Sequence, residues 1–257
     1  MTVEIFPCND KSITKTLVFS SGLGGHANFW QPQIDFFTQH FQVLCYDQQG
    51  VQQDSELLSS NYQLKDLATE LVDILKCNNL SSCHFVGHAL GAFIGLEVAA
   101  QAPQLLEKLV LLNPWDELDF YTLKCFNLRQ SLLEHTGIEA YVKAQAIFLY
   151  PPQWISENAQ ILTEQENQAI IKFAPIPNVL ARLNSLKAYQ PKTTAATVNH
   201  PTLVISNADD TLVPWQRGLS LTQNMPHAKF NLMATGGHAS TVTQPTMMNQ
   251  TILKFLI

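Results

Sequence analysis

The stretch Phe85-Val86-Gly87-His88-Ala89-Leu90-Gly91-Ala92 runs an apolar segment into a Gly-x-x-x-Gly turn. With serine in the middle this would be a nucleophile elbow, G-x-S-x-G, where a sharp strand-to-helix turn presents one strained residue. Side chains beside the central residue would collide, so glycines belong there. Here the middle residue is Ala89, and the turn is expected without its reactive hydroxyl. A short glycine pattern is weak evidence by itself. The plain alternative is a strand–helix turn with no chemistry.

Two later stretches change the balance. Ser206-Asn207-Ala208-Asp209-Asp210-Thr211-Leu212-Val213-Pro214 follows an apolar run, and so does Gly236-Gly237-His238. An isolated Asp or His is usually a solvated loop residue. Elbow, acid and histidine in that order, each after a strand-like run, make the order of a catalytic triad. Asp210 is the better acid, four residues before Pro214, and Asp209 is then a loop or capping carboxylate. Asp210 is expected to bond one ring nitrogen of His238, fix its tautomer and support a positive charge on it.

A glycine loop, Ser20-Ser21-Gly22-Leu23-Gly24-Gly25-His26, follows the first expected strand. The backbone N–H groups of Leu23 and Leu90 are the candidate oxyanion donors. The loop lacks a G-K-[ST] ending and G-x-G-x-x-G spacing, so no nucleotide cradle is expected. His26, Trp115 and Arg129 are the substrate-binding candidates, and Lys124, like Arg129, is placed to meet an anionic substrate. His26 has an equally good loop-packing role, and most charges on such helices face water. His88 is expected to pack against the sheet. No H-E-x-x-H or other metal spacing occurs, so neither metal nor cofactor is expected.

The elements that must position these groups read as α/β. Residues 17–20, 43–46, 84–86, 108–112, 202–206 and 230–233 are short, continuous apolar runs, as in parallel strands covered on both faces. Leu64, Leu67, Ala68, Leu71, Val72 and Leu75 form a helical stripe, and 91–101 is a second helix before Pro103. A mostly parallel sheet flanked by helices follows. The alternation stops at Asn113. Residues 115–190 are expected to form a helical lid, inserted into a core of residues 1–114 and 191–257; the plain alternative is a second helical layer with no role in function.

The chain has 257 residues, 46% of them hydrophobic, and only 14% charged, against about 25% in ordinary proteins. A compact body with a sizeable core is expected. The net charge of −6 argues against nucleic acid. Five cysteines with no C-x-x-C spacing make a disulfide framework or zinc site unexpected. With no signal-peptide pattern or long apolar run, a cytoplasmic protein is expected. The expected partners are a small-molecule substrate and a second copy in a homodimer, with no membrane.

These motifs resemble the α/β-hydrolase superfamily over essentially the whole chain. Ser21-Gly22-Leu23-Gly24-Gly25, Trp30 with Pro32-Gln33, Cys45-Tyr46-Asp47-Gln48 and the Ala89 elbow look like the RutD family. So do Cys125-Phe126, Leu149-Tyr150-Pro151 with Trp154, Leu183-Asn184 with Leu186-Lys187, and Gly236-Gly237-His238-Ala239. The resemblance implies a hydrolase of pyrimidine (uracil) nitrogen catabolism, acting on carbamate to give CO2 and ammonia, or on aminoacrylate. It also implies that alanine at the elbow is native. One departure stands out: Asp47-Gln48-Gln49-Gly50-Val51-Gln52 replaces the commoner D-x-R-G-x-G.

Without a serine there is no acyl-enzyme route. A water beside Ala89 is the expected nucleophile, with His238 as its general base and Leu23 and Leu90 receiving negative charge. Other readings stand beside this one. They are a non-catalytic metabolite- or partner-binding homologue, a lyase or cofactor-free oxygenase using the histidine alone, and an esterase inactivated by an engineered alanine.

Overall fold

The computed structural model describes residues 2–257. Seven strands, β1 (Val3–Phe6), β2 (Thr16–Ser20), β3 (Gln42–Tyr46), β4 (Cys83–His88), β5 (Leu106–Leu112), β6 (Thr202–Asn207) and β7 (Ala228–Met233), make one sheet. Their order is β1-β3-β2-β4-β5-β6-β7. Only β1 runs antiparallel to its neighbour; the other pairings are parallel. All six expected strands are present, with somewhat wider bounds. The seventh, β1, was not expected. It is an edge strand with Glu4 and Ile5 exposed, so it lacks the continuous apolar run that marks a doubly covered strand.

Helices α1 (Gln31–Phe37), α2 (Leu64–Cys77) and α3 (Leu90–Gln101) follow β2, β3 and β4. Between β5 and β6 come α4 (Phe120–His135), α5 (Ile138–Leu149), α6 (Pro152–Glu157), α7 (Ala159–Ile171), α8 (Ile176–Ala188) and α9 (Pro191–Ala195). Then α10 (Trp215–Gln223) joins β6 to β7, and α11 (Ser240–Thr243) and α12 (Pro245–Leu256) close the chain. Two cores sandwich the sheet. Phe19, Trp30, Phe37, Met248 and Ile252 fill one face beneath α1 and α12. Phe85, Phe93, Leu71, Leu111 and Leu221 fill the other beneath α2, α3 and α10. Each fully buried side chain of this size contributes about 1.5–3 kcal/mol.

Local chemistry explains the helix ends that matter. α2 starts at a capping box, where the Asp66 carboxylate accepts the Gln63 N–H at 2.8 Å. α4 starts where Asp119 accepts the Thr122 N–H at 2.8 Å. α3 is apolar on every side because it lies between the sheet and α2, and residues 90–99 are all buried. The helices after β5 hold a small core of their own around Leu133, Tyr141 and Val142. Among the described residues, no helix is long and apolar enough to cross a membrane.

The two elbow glycines are required by close approach. A Cβ on Gly91 would overlap the carbonyl oxygens of Ser20 and Ser21 at the end of β2. One on Gly87 would overlap the Gly91 carbonyl. Since the obstacles are backbone, neither clash can be relieved by a rotamer change. Gly91→Ala is therefore expected to destabilise at the upper end of the overpacking range, by about 3 kcal/mol, in urea unfolding.

Candidate active site

β4 ends at His88 and α3 begins at Leu90, leaving Ala89 at φ 49° and ψ −110°. That conformation costs a non-glycine residue on the order of 1–3 kcal/mol. The Ala89 N–H donates to the Leu112 carbonyl at 2.9 Å, tying the turn to the end of β5. Leu90 opens α3, so its N–H has no acceptor within the helix and lies at the positive end of the helix dipole.

Asp210 and His238 meet. The His238 Nδ1–H donates to Asp210 Oδ2 at 2.7 Å, and the two side chains are 3% and 0% exposed. The carboxylate is otherwise fully satisfied. Asn113 Nδ2 donates to Oδ2 at 2.8 Å, and the Leu212 and Val213 N–H groups donate to Oδ1 at 2.8 and 2.9 Å. With Nδ1 protonated, Nε2 is the basic nitrogen of the His238 ring. Asp209 holds the histidine loop, accepting from the N–H groups of Gly236 and Gly237 at 3.1 and 2.9 Å.

His88 does more than pack against the sheet. Its Nε2–H donates to the His238 carbonyl at 2.8 Å, its ring meets the His238 ring edge-on at 4.8 Å, and Phe29 stacks on it. Because Ala89 follows His88 directly, these contacts bring the turn beside His238. Burial, aided by the neighbouring His238, pushes the His88 imidazole down to about 3.

The loop after β2 is fixed from outside. Gln48 donates to the Ser21 carbonyl at 2.7 Å. Arg182 of α8, 2% exposed, donates to the Leu23 carbonyl at 3.1 Å, to the Gln49 carbonyl at 3.2 Å and to Gln48 Oε1. A guanidinium from the helical segment thus ties the β2 and β3 loops together, in the loop where D-x-R-G-x-G would place its own arginine. Sequence reasoning missed Arg182. Its signal is a buried stripe of Asn178, Arg182 and Leu186 at helical spacing, on which a charge is out of place. Asn113 was missed too; it sits at φ 51°, just before Pro114, and reads as an ordinary turn residue.

The remaining candidates separate. His26 lies 3.7 Å from Asp47 and is about half exposed. Lys124 rests over the Phe120 ring. Trp115 is corrected: it is 1% exposed and packed against Phe93 and Phe126, with ring centroids at 4.5 and 5.9 Å, so it fills the core and offers a ligand almost no surface. Arg129 is buried in α4, on the ring faces of Tyr141 and Phe148.

Comparison with known proteins agrees with this fold. A model of the alpha/beta hydrolase fold matches residues 15–245. A protein of Acinetobacter baylyi named "Putative carbamate hydrolase RutD" is 46% identical, over 100% of this chain and 98% of its own length. One of the same name from Stutzerimonas stutzeri is 42% identical, over 94% and 91%. Among solved structures, a hydrolase from Pseudomonas aeruginosa superposes with a TM-score of 0.86 at 23% identity, covering 99% of this chain and 93% of that one. An enol-lactonase from Burkholderia xenovorans gives 0.87 at 19%, covering 99% and 95%. These structures show the fold.

The buried His88 makes stability depend on pH. Its folded value lies near 3 and its ordinary value is 6.5. As pH falls through that window the unfolded chain takes up the proton first, so stability declines; above it the group contributes no pH dependence. His88→Gln keeps a donor for the His238 carbonyl and removes the proton site. Its stability in urea is expected to fall less steeply across that window, by up to about 1.4 kcal/mol per pH unit. Equal slopes for the two proteins would mean that His88 is not held neutral.

Proposed function

This chain belongs to the α/β-hydrolase family and within it to the RutD proteins, and from that membership we propose that it hydrolyses carbamate. The single observation that carries the proposal is the buried Asp210–His238 pair beside Ala89. A module that only bound a metabolite would gain nothing from burying an acid–base pair of this kind.

The reaction needs no protein nucleophile. A water beside the Ala89 methyl gives a proton to His238 Nε2 as its oxygen bonds to the carbamate carbon. Asp210 supports the imidazolium that results. Negative charge on the tetrahedral oxygens is received by the N–H groups of Leu90 and Leu23. His238 then passes the proton to the leaving nitrogen, the C–N bond breaks, and ammonia and bicarbonate, the hydrated form of CO2, depart. Triad enzymes stripped of one member retain about 10³–10⁴-fold catalysis over water, so this machinery suffices for a substrate that already decomposes unaided. The family resemblance supports reading this step as part of pyrimidine nitrogen catabolism.

Ammonia release from carbamate near neutral pH, with and without protein, tests the reading. The protein is expected to exceed the spontaneous rate. His238→Ala is expected to lose about 10²-fold or more of the excess, and Asp210→Asn to lose much of it by favouring the wrong tautomer. No excess over the spontaneous rate would reject carbamate; a histidine-dependent excess with aminoacrylate would then name the substrate. Equal acceleration by parent and His238→Ala would place the chemistry elsewhere.

A further inference from the structure

Two arginines are buried in the helices between β5 and β6, and only one has its fork filled. Arg182 donates to two backbone carbonyls and a side-chain amide oxygen. Arg129, 5% exposed, donates from Nη2 to the Tyr141 hydroxyl at 3.2 Å, and its Nε is buried without an acceptor. The ring faces of Tyr141 and Phe148 lie 5.5 and 6.0 Å from Cζ, which softens the charge but does not hydrogen-bond it. Among the described residues no carboxylate comes within ion-pair distance of Arg129, whereas Arg217 on α10 has both Asp116 and Glu117. A buried guanidinium without a counter-ion opposes folding, so it is out of place as a purely structural group.

Its position suits a ligand. Arg129 shares the buried stripe of α4 with Thr122 and Cys125. Arg129 lies near enough to Cys125, one turn toward the helix N-terminus, to oppose the rise that burial causes in that thiol's pKa. At that end Thr122 and Tyr121 donate to the carbonyls of Leu212 and Thr211, in the loop that carries Asp210. On α5, Phe148 precedes Leu149, whose carbonyl accepts the N–H of Ala239, next to His238. The guanidinium therefore lies between the two helices whose ends abut the acid loop and the histidine loop.

We infer that Arg129 binds the carboxylate of a small monocarboxylate, using its unfilled N–H groups as a fork. Two parallel N–H bonds match a carboxylate in charge and shape. The bound anion would supply the missing counter-charge. What becomes of the bound molecule rests on the hydrolase reading above; the binding does not.

The test is therefore read as binding. Thermal unfolding of the whole chain is followed with acetate, bicarbonate and neutral acetamide, at ionic strength held constant with chloride. Acetate and bicarbonate are expected to raise Tm, and acetamide is not. Arg129→Met, which keeps the length and removes the charge, is expected to match or exceed the parent's Tm without ligand and to weaken the anion response at least about tenfold. Arg129→Lys, a cation without a fork, is expected to fall between. An anion response intact in Arg129→Met, or equal effects of acetate and acetamide, would overturn the inference. So would no anion response in the parent together with a lower Tm in Arg129→Met, which would make Arg129 a structural pin. His238→Ala separates the two proposals: an intact anion response with no turnover by any variant sinks the hydrolase reading alone.

Discussion

The contact between the start of α3 and the end of β2 sets the position of everything at the candidate site. Gly91 lies against the carbonyls of Ser20 and Ser21, and Gly87 against Gly91 itself. Backbone meets backbone with no side chain between. That approach brings the Leu90 N–H alongside the loop that carries Leu23. It also forces Ala89 into a conformation that alanine adopts only under constraint. The constraint comes from α3, buried along nearly its whole length between the sheet and α2. The large apolar area of that helix outweighs the local strain at one residue.

Two adjacent pieces of chain use histidine in opposite ways. His238 has a carboxylate on Nδ1, so charge on its ring is compensated at once. His88 has only neutral groups as partners, the His238 carbonyl on Nε2 and the Phe29 face, and burial keeps it uncharged. A charged ring in that place would sit edge-on against the His238 ring and oppose its protonation. His88 is thus a dry spacer that orients the His238 backbone without competing for its proton. Asp210 is held as tightly, since Asn113 and two backbone N–H groups leave its carboxylate no freedom to turn away.

Legibility in the sequence followed physical pattern. Runs such as Leu17-Val18-Phe19 read as strands because a strand covered on both faces has no polar positions, and the structure buries all three fully. β1, half exposed at the sheet edge, carries no such mark. Asp210 and His238 could be singled out because each follows a strand and their order carries meaning. Asn113 could not, because its partner is remote in sequence and a lone Asn has no pattern of its own, and Arg182 left only the faint mark of a charge on a helical stripe that is otherwise uncharged. Trp115 shows the converse problem. An aromatic residue after a strand reads the same whether it lines a pocket or fills a core, and only its packing on Phe93 and Phe126 decides.

The Arg182 contacts also bear on the order of assembly. Their partners are 159 and 133 residues away in the chain, so they close very large loops. Contacts of that range lose much loop-closure entropy and are disfavoured early in folding. The β2–β3–β4 layer can form with α2 and α3 before α8 docks, since its contacts are far more local. Leu23 would then be in the right region but without its clamp. The Asp210–His238 pair is only 28 residues apart, but its supports Asn113 and His88 reach it from 97 and 150 residues away. Both halves of the site thus depend on contacts that close long loops, and the donor half needs α8 as well.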